Sequence, residues 1–365
     1  MCLAIMGKND FEEKIGKLRI KTFKSINRIP LPLNILPNQI KNSFWTSGID
    51  KFIADYQPDL VHFHNPVPPL ELWRLAQVCL KHKIPYAISS HGFVEMFDFK
   101  QAYNIGLLKG LALNKIVLNP FHNTLRNANA TFLLSPHEKA VFRKNSTSKS
   151  KVFIVTNGFD KVFENKLTKK TINSCRQKFD VLGKKTTLFF MGNHTRNKGI
   201  DILLNSLRFL NDDFHIIIGG RIRSRKDHKA LIDSCDLRDN EDRFTFTDFL
   251  SNEEAIALYK LCDGFIFPTR ADTLPLVILE AMISELPIIS TRVGGIPYQL
   301  PDDCGILINP GSPDELALAI KTFLNNKSNM KKMGKNAKMR VKEVFNWETS
   351  AKKAFDAYTE IIKEQ

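Results

Sequence analysis

Residues 264–297, GFIFPTRADTLPLVILEAMISELPIISTRVGGIP, decide the fold. The run GFIF is short and apolar on alternate and intervening positions alike, as a strand covered on both faces must be, and Pro268 ends it. A loop over 272–275 leads into an aliphatic run that predicts a helix over 276–285, with Pro275 in its first turn, where a missing N–H is no loss. A second apolar strand, PIIST, then stops at Gly294-Gly295. Strand, loop, helix and strand in this order describe one unit of a parallel sheet. Inside it, Asp272 and Glu280 stand at the two ends of an aliphatic interval. A helix made only for packing gains nothing from such acids, because an unpaired buried charge is costly. The spacing therefore marks a site.

The same alternation runs along most of the chain. In the first half the strands read DLVHFHN, YAISSHG, ATFLLS and KVFIVTNG. In the second half they read TTLFFMGN, FHIIIGG, RFTFTDF, GFIFPT, PIISTRVGG and GILIN. Longer helical patterns separate them, which predicts two doubly wound α/β domains. Residues 161–185, KVFENKLTKKTINSCRQKFDVLGKK, are polar and nearly free of strand signal and form the expected join. The reading is an N-terminal domain over 1–165, a C-terminal domain over 166–345, and a helical tail over 346–365 that packs back on the first domain. Two such domains leave a cleft at the carboxyl ends of their strands, where ligands of open sheets bind.

Composition narrows the functional classes. The 365 residues are 43% hydrophobic and 25% charged, the balance of a folded globular chain. No apolar run approaches the roughly 20 residues of a spanning helix, so a cytoplasmic location is expected. Six cysteines stand without a C-x-x-C pair, which suggests neither a zinc site nor a disulfide framework. The net charge of +15 is uneven: residues 1–165 hold 22 Lys and Arg against 12 Asp and Glu, and the remainder 31 against 26. A basic first half suits nucleic acid, an anionic membrane surface or a phosphorylated substrate, or is simply a solvated face. No nucleic-acid module is recognisable, and no nucleic-acid partner is expected. His62 and His64 share one strand face and read as hydrogen-bonding groups rather than a metal pair.

Two further loops join strand ends to helices. In FFMGNHTRNKGIDILLNSL, residues 189–207, the strand ends at Met191, Gly192 permits a turn, and Arg196 and Lys198 precede a helix. Cations beside helix N–H groups make an anion site suited to a diphosphate. The loop in IIIGGRIRSRKD, residues 216–227, repeats the arrangement. Taken singly, each reads more readily as a surface turn with solvated lysines; together they line one edge of one domain. Glu280, about one turn into its helix, directs its carboxylate back toward the N-terminus, because helical side chains tilt that way. There it can accept hydrogen bonds from vicinal hydroxyls such as those of a ribose, while the N–H groups of Thr273, Leu274 and Leu276 face a phosphate.

The pattern DTLPLVILEAM, followed by PIISTRVGGIP and preceded by MGNHTRNKGIDILL, resembles the retaining GT-B glycosyltransferases of family 4, the glycosyltransferase group 1 enzymes. The likeness runs from about residue 58 to 347. It implies two Rossmann-like domains facing a cleft and a nucleotide-sugar donor held by the C-terminal one. By this resemblance Asp272 and Glu280 are the family's two spaced acids, with aspartate where glutamate is commoner. Glu280 would bind the ribose, residues 272–276 the sugar and diphosphate, and Lys198 the diphosphate charge. His91, in SSHGF, would reach the donor sugar from the facing domain. The implied catalytic set is His91, Asp272 and Lys198; the implied donor-binding set is Gly192, Asn193, Arg196, Lys198, Thr273, Leu274, Leu276 and Glu280.

No metal and no other cofactor is expected, since the chain has no Asp-x-Asp sequence. The implied reaction moves a sugar to a glycan or polyprenyl-linked acceptor in surface polysaccharide or lipopolysaccharide synthesis, with the enzyme peripheral on an anionic membrane. A nucleotide-sugar epimerase, or a family member that binds nucleotide without turnover, remains open beside it. The sequence departs from the family in two places. Asn193 stands where arginine is usual, leaving Arg196 or Arg221 to supply the second cation. The first 90 residues carry glycines only at 7, 16 and 48, so an N-terminal domain lacking the family's first strand and glycine loop is expected.

Overall fold

The computed structural model describes residues 1–28, 44–64, 68–89, 118–181, 186–222, 224–235, 237, 240–247 and 249–364. The chain divides into two compact units, Met1–Val155 with Lys353–Gln365, and Thr156–Lys352. The division falls at residue 155, ahead of the lysine-rich stretch that suggested 165.

In the first unit, β1 (Cys2–Gly7) pairs in parallel with β3 (Leu18–Lys24), and β2 (Phe11–Ile15) pairs antiparallel with β3. The β2–β3 hairpin turns through Gly16 at φ +58°, and every residue of β2 is exposed, so its sequence gives no burial signal. Two-residue strands β4 (Ile26–Asn27) and β5 (Trp45–Thr46) form a small antiparallel pair. The main sheet is four parallel strands in the order β6 (Val61–His64), β7 (Tyr86–Ser89), β8 (Ala130–Leu133) and β9 (Lys151–Ile154). Among the described residues β1 pairs only with β3 and β6 only with β7, and both border a cavity of about 800 Å³.

The helices of this unit cover both sheet faces. Pro69–Lys81 and Asn119–Asn127 bury Leu72, Leu75, Phe121 and Leu125 with Tyr86 and Ile88 on one side. The other side is closed by the last helix, Trp347–Lys363, whose Ala357 and Ile361 bury against Ala87, Ala130 and Phe132. Tyr358 of that helix meets His62 in β6: Tyr358 Oη lies 2.5 Å from His62 Nδ1, and Ser89 Oγ 2.7 Å from Nε2. His62 stacks on His64 at 4.1 Å between ring centroids. The histidine pair thus shares a strand face and hydrogen-bonds, as its period-two spacing predicts.

The second unit holds six parallel strands: β10 (Thr186–Met191), β11 (Phe214–Gly219), β12 (Phe244–Phe246), β13 (Gly264–Phe267), β14 (Ile288–Thr291) and β15 (Ile306–Ile308). Their order is β12-β11-β10-β13-β14-β15. The chain begins in the middle, winds outward to β12, then returns to add β13, β14 and β15 on the other side, which is the doubly wound arrangement. Its order reverses between β10 and β13. Leu188, Phe189, Phe190, Phe265, Ile266 and Phe267 in those two strands are 0 or 1% exposed, the burial their unbroken apolar runs call for. The helices Ile200–Ser206, Asn252–Leu261, Leu276–Ile283, Pro313–Asn325 and Lys327–Val344 supply the covering layers. Among the described residues no helix is long and apolar enough to cross a membrane. All six cysteines are free thiols, four of them buried.

Candidate functional site

Ligands of an open parallel sheet bind where the strand order reverses, beyond the carboxyl ends of the strands. Here that point lies between Met191 and Phe267, and the loops that leave it are 192–199 and 268–275. They are knitted together. Arg270 N–H donates to the Asn197 carbonyl at 2.8 Å, and the Arg270 guanidinium donates to the Arg196 carbonyl at 2.6 Å. The same guanidinium grips Asp201, in the first turn of Ile200–Ser206, through two bonds of 2.6 and 2.8 Å. Such a fork-to-fork pair fixes direction as well as distance.

Above this frame sits Lys198. Its Nζ donates to both oxygens of Asp272 at 2.7 and 2.9 Å, and Thr269 Oγ1 donates to Asp272 Oδ2 at 2.7 Å. Lys198 also lies 5.7 Å from the Phe267 ring centroid, so an aromatic face backs its charge. The pair is accessible, its side chains 22% and 15% exposed.

Two glycines let these loops approach. Gly199, at φ +77°, would place a Cβ 1.9 Å from the Pro268 carbonyl oxygen. Gly294, at φ +53°, would place one 1.8 Å from the carbonyl oxygen of Asp272. A side chain at either position clashes with backbone and adopts a strained conformation. The neighbouring Gly295 N–H donates to the Thr273 carbonyl at 2.7 Å, which ties the Gly-Gly turn after β14 to the acidic loop.

From that loop rises the helix Leu276–Ile283, two residues shorter than the sequence suggests. Pro275 is its N-cap, with extended φ/ψ, rather than a residue of its first turn, and no side chain caps it. Its first N–H groups therefore have the orientation and the partial positive charge of an anion site. Leu276 is 48% exposed at this end, and Gln299 Nε2 holds the Pro275 carbonyl at 3.0 Å. Glu280 lies on the same helix, half-buried, accepting from Tyr259 Oη at 2.9 Å. Burial pushes its carboxyl above the ordinary value; the Tyr259 hydrogen bond opposes the rise and Asp160 adds to it.

The structure thus joins Lys198 and Asp272 directly and leaves Glu280 to a separate partner. Arg196 is 79% exposed on its side chain and approaches Asp201 at 3.7 Å. Gly192 N–H donates to the Gly219 carbonyl, and the Asn193 carbonyl accepts from Thr195 N–H, so both act here as loop backbone. Arg221 is exposed, its carbonyl accepting from His194 N–H. His91 lies outside the described residues. Sequence reasoning missed Arg270, Asp201, Thr269 and Tyr259. An arginine just after a strand and an aspartate opening a helix are visible in sequence, but their pairing is tertiary; Tyr259 offers no signal at all.

Residues 7–162 match the family model Glycosyltransferase Family 4, and residues 172–340 match Glycosyl transferases group 1. An uncharacterised glycosyltransferase of Methanocaldococcus jannaschii is 24% identical over 82% of this chain and 85% of its own length. Among solved structures, sucrose-phosphate synthase from Thermosynechococcus elongatus superposes with a TM-score of 0.74 at 20% identity, over 100% of this chain and 89% of that one. Anabaena HepE, solved in complex with UDP-glucose, gives 0.69 at 18% identity over 93% of this chain and 86% of its own.

Proposed function

Given that the chain belongs to the GT-B glycosyltransferases of group 1 and family 4, we propose that its C-terminal unit binds a nucleotide-diphosphate-sugar donor at the β10/β13 switch point and transfers the sugar with retention. The observation that carries this is the Lys198–Asp272 pair beside the uncapped start of Leu276–Ile283, with Glu280 on that same helix. UDP and UDP-glucose complexes of the structural neighbour HepE support a donor of this class.

The chemistry follows from charge. When the bond between the anomeric carbon and the diphosphate oxygen breaks, negative charge grows on the leaving phosphate. Lys198 and the N–H groups of the helix start lie ready for it, fixed before reaction and so without reorganisation cost. Glu280 binds the ribose hydroxyls through its carboxylate, and Asp272 with the 273–276 backbone holds the sugar. The acceptor hydroxyl then bonds to the anomeric carbon as the bond to the diphosphate breaks, and its proton passes to the departing phosphate oxygen. We place Lys198 in the role that a metal ion fills elsewhere. A glycan or lipid-linked acceptor in surface polysaccharide or lipopolysaccharide assembly fits the basic first half, whose 22 Lys and Arg face 12 Asp and Glu and would favour an anionic membrane.

Calorimetric titration with UDP, GDP, ADP and their sugar conjugates tests the reading. One nucleotide class is expected to bind, and Lys198→Ala and Glu280→Ala are each expected to weaken it at least roughly 10-fold, as loss of a charged hydrogen bond does. Unchanged affinity in both variants sinks the assignment.

A further inference from the structure

We infer that Tyr259 is a positioning residue for Glu280 and sets the selectivity of the donor site for ribonucleotides; this rests on the donor reading above. Tyr259 lies in Asn252–Leu261, with no side-chain role visible in sequence, and is 0% exposed. Its hydroxyl donates to Glu280 Oε2 at 2.9 Å and lies 3.3 Å from the Val277 carbonyl. A phenol has one proton to give, and the shorter contact to the charged acceptor takes it. Among the described residues Tyr259 is the one hydrogen-bond partner of the Glu280 side chain, which leaves Oε1 for a ligand.

The ring itself cannot turn away. Phe189 of β10 meets it edge-on with centroids 5.0 Å apart, Phe163 does so at 5.6 Å, and Phe265 of β13 leans on it at 5.4 Å. An aromatic box, with two rings on the adjacent central strands β10 and β13 and the third, Phe163, in the turn Lys161–Glu164, thus fixes the hydroxyl, and the hydroxyl fixes the carboxylate. A glutamate has three rotatable side-chain torsions; held at Oε2, it presents Oε1 in one direction. That is what a group reading two vicinal hydroxyls needs, because a misdirected acceptor loses the bond while still meeting the desolvation cost. Tyr259 also donates to the ionised form of a carboxylate that burial drives toward protonation, and so keeps it an acceptor.

The test is the affinity ratio between a ribonucleoside diphosphate and its 2′-deoxy counterpart, measured by calorimetry with whichever of UDP, GDP and ADP binds. The unaltered protein is expected to prefer the ribonucleotide, and Glu280→Ala to bring the ratio to about 1. Tyr259→Phe, which keeps the ring and its packing, is expected to cut the ratio several-fold, with a smaller loss for the deoxynucleotide, which keeps only its 3′-hydroxyl. Thermal melts of the variants check that the fold persists. An unchanged ratio in Tyr259→Phe, or an equal loss for both nucleotides, overturns the positioning role. An unchanged ratio in Glu280→Ala instead overturns the donor reading itself, so the two failures are distinguishable.

Discussion

Lys198 Nζ bridges both carboxylate oxygens of Asp272, 2.7 and 2.9 Å away, across 74 positions of sequence. In this state the lysine charge is already compensated, and a diphosphate must share it. Asp272→Asn removes both the competition and a like charge near the phosphates. It is expected to bind the free nucleoside diphosphate several-fold more tightly while sugar transfer falls steeply. Parallel calorimetry and turnover assays check this; weaker nucleotide binding in Asp272→Asn would show that the pair supports the lysine instead of restraining it.

Glu280 makes a second prediction through pH. Its carboxyl sits above the ordinary value of 4.5, chiefly from burial, so the folded state binds the proton more readily than the unfolded one. Stability linked to this group is therefore lost as pH rises from about 4.5 through the folded-state value. Glu280→Gln, which cannot ionise, is expected to melt higher than the parent at pH 7 and equally at pH below 4.5. A melting difference that is constant with pH refutes the argument.

At His62 the direction reverses. Burial, with His64 beside it, lowers the imidazole to about 3. The unfolded chain takes up the proton first, so the first unit loses stability as pH falls from 6.5 toward 3. His62→Gln is expected to flatten the melting curve of this unit over that window, observed through the fluorescence or hydrogen exchange of the Tyr358 contact. Identical acid sensitivity in the variant places the titrating group elsewhere.

Gly294→Ala tests the loop packing. The added methyl would lie 1.8 Å from the Asp272 carbonyl oxygen in a backbone conformation at φ +53°. Loss of a few kcal/mol of stability and of most nucleotide affinity is expected. The same substitution at Gly16, where φ is +58° with open space around it, costs only about 1 kcal/mol and leaves binding intact. Chemical denaturation and calorimetry compare the two.

The sequence and the structure agree where burial is two-sided. The ten strands read from 61 to 308 are present, most of them as the continuous apolar runs that parallel strands leave, although β6 (VHFH) and β12 (FTF) keep an exposed position. The β2–β3 hairpin escaped notice since FEEKI is wholly exposed. In the site, Asp272 and Glu280 stood out because acids bound an aliphatic run, and Lys198 because it is a cation between a strand-ending glycine turn and a helix start. Arg270 with Asp201 and Tyr259 with Glu280 did not, since each link joins residues 69 and 21 positions apart and only the strand order brings them together.

The last helix has a consequence for how the protein is made. Ala357 and Ile361 complete the layer over Ala87, Ala130 and Phe132, and Tyr358 reaches back 296 positions to His62. On the ribosome the N-terminal sheet must therefore wait, one face uncovered, while everything between is synthesised. Thr156–Lys352 is a single uninterrupted stretch and can close as soon as it emerges. The unit made first is the unit finished last, and its bare face is the natural place for a chaperone to hold.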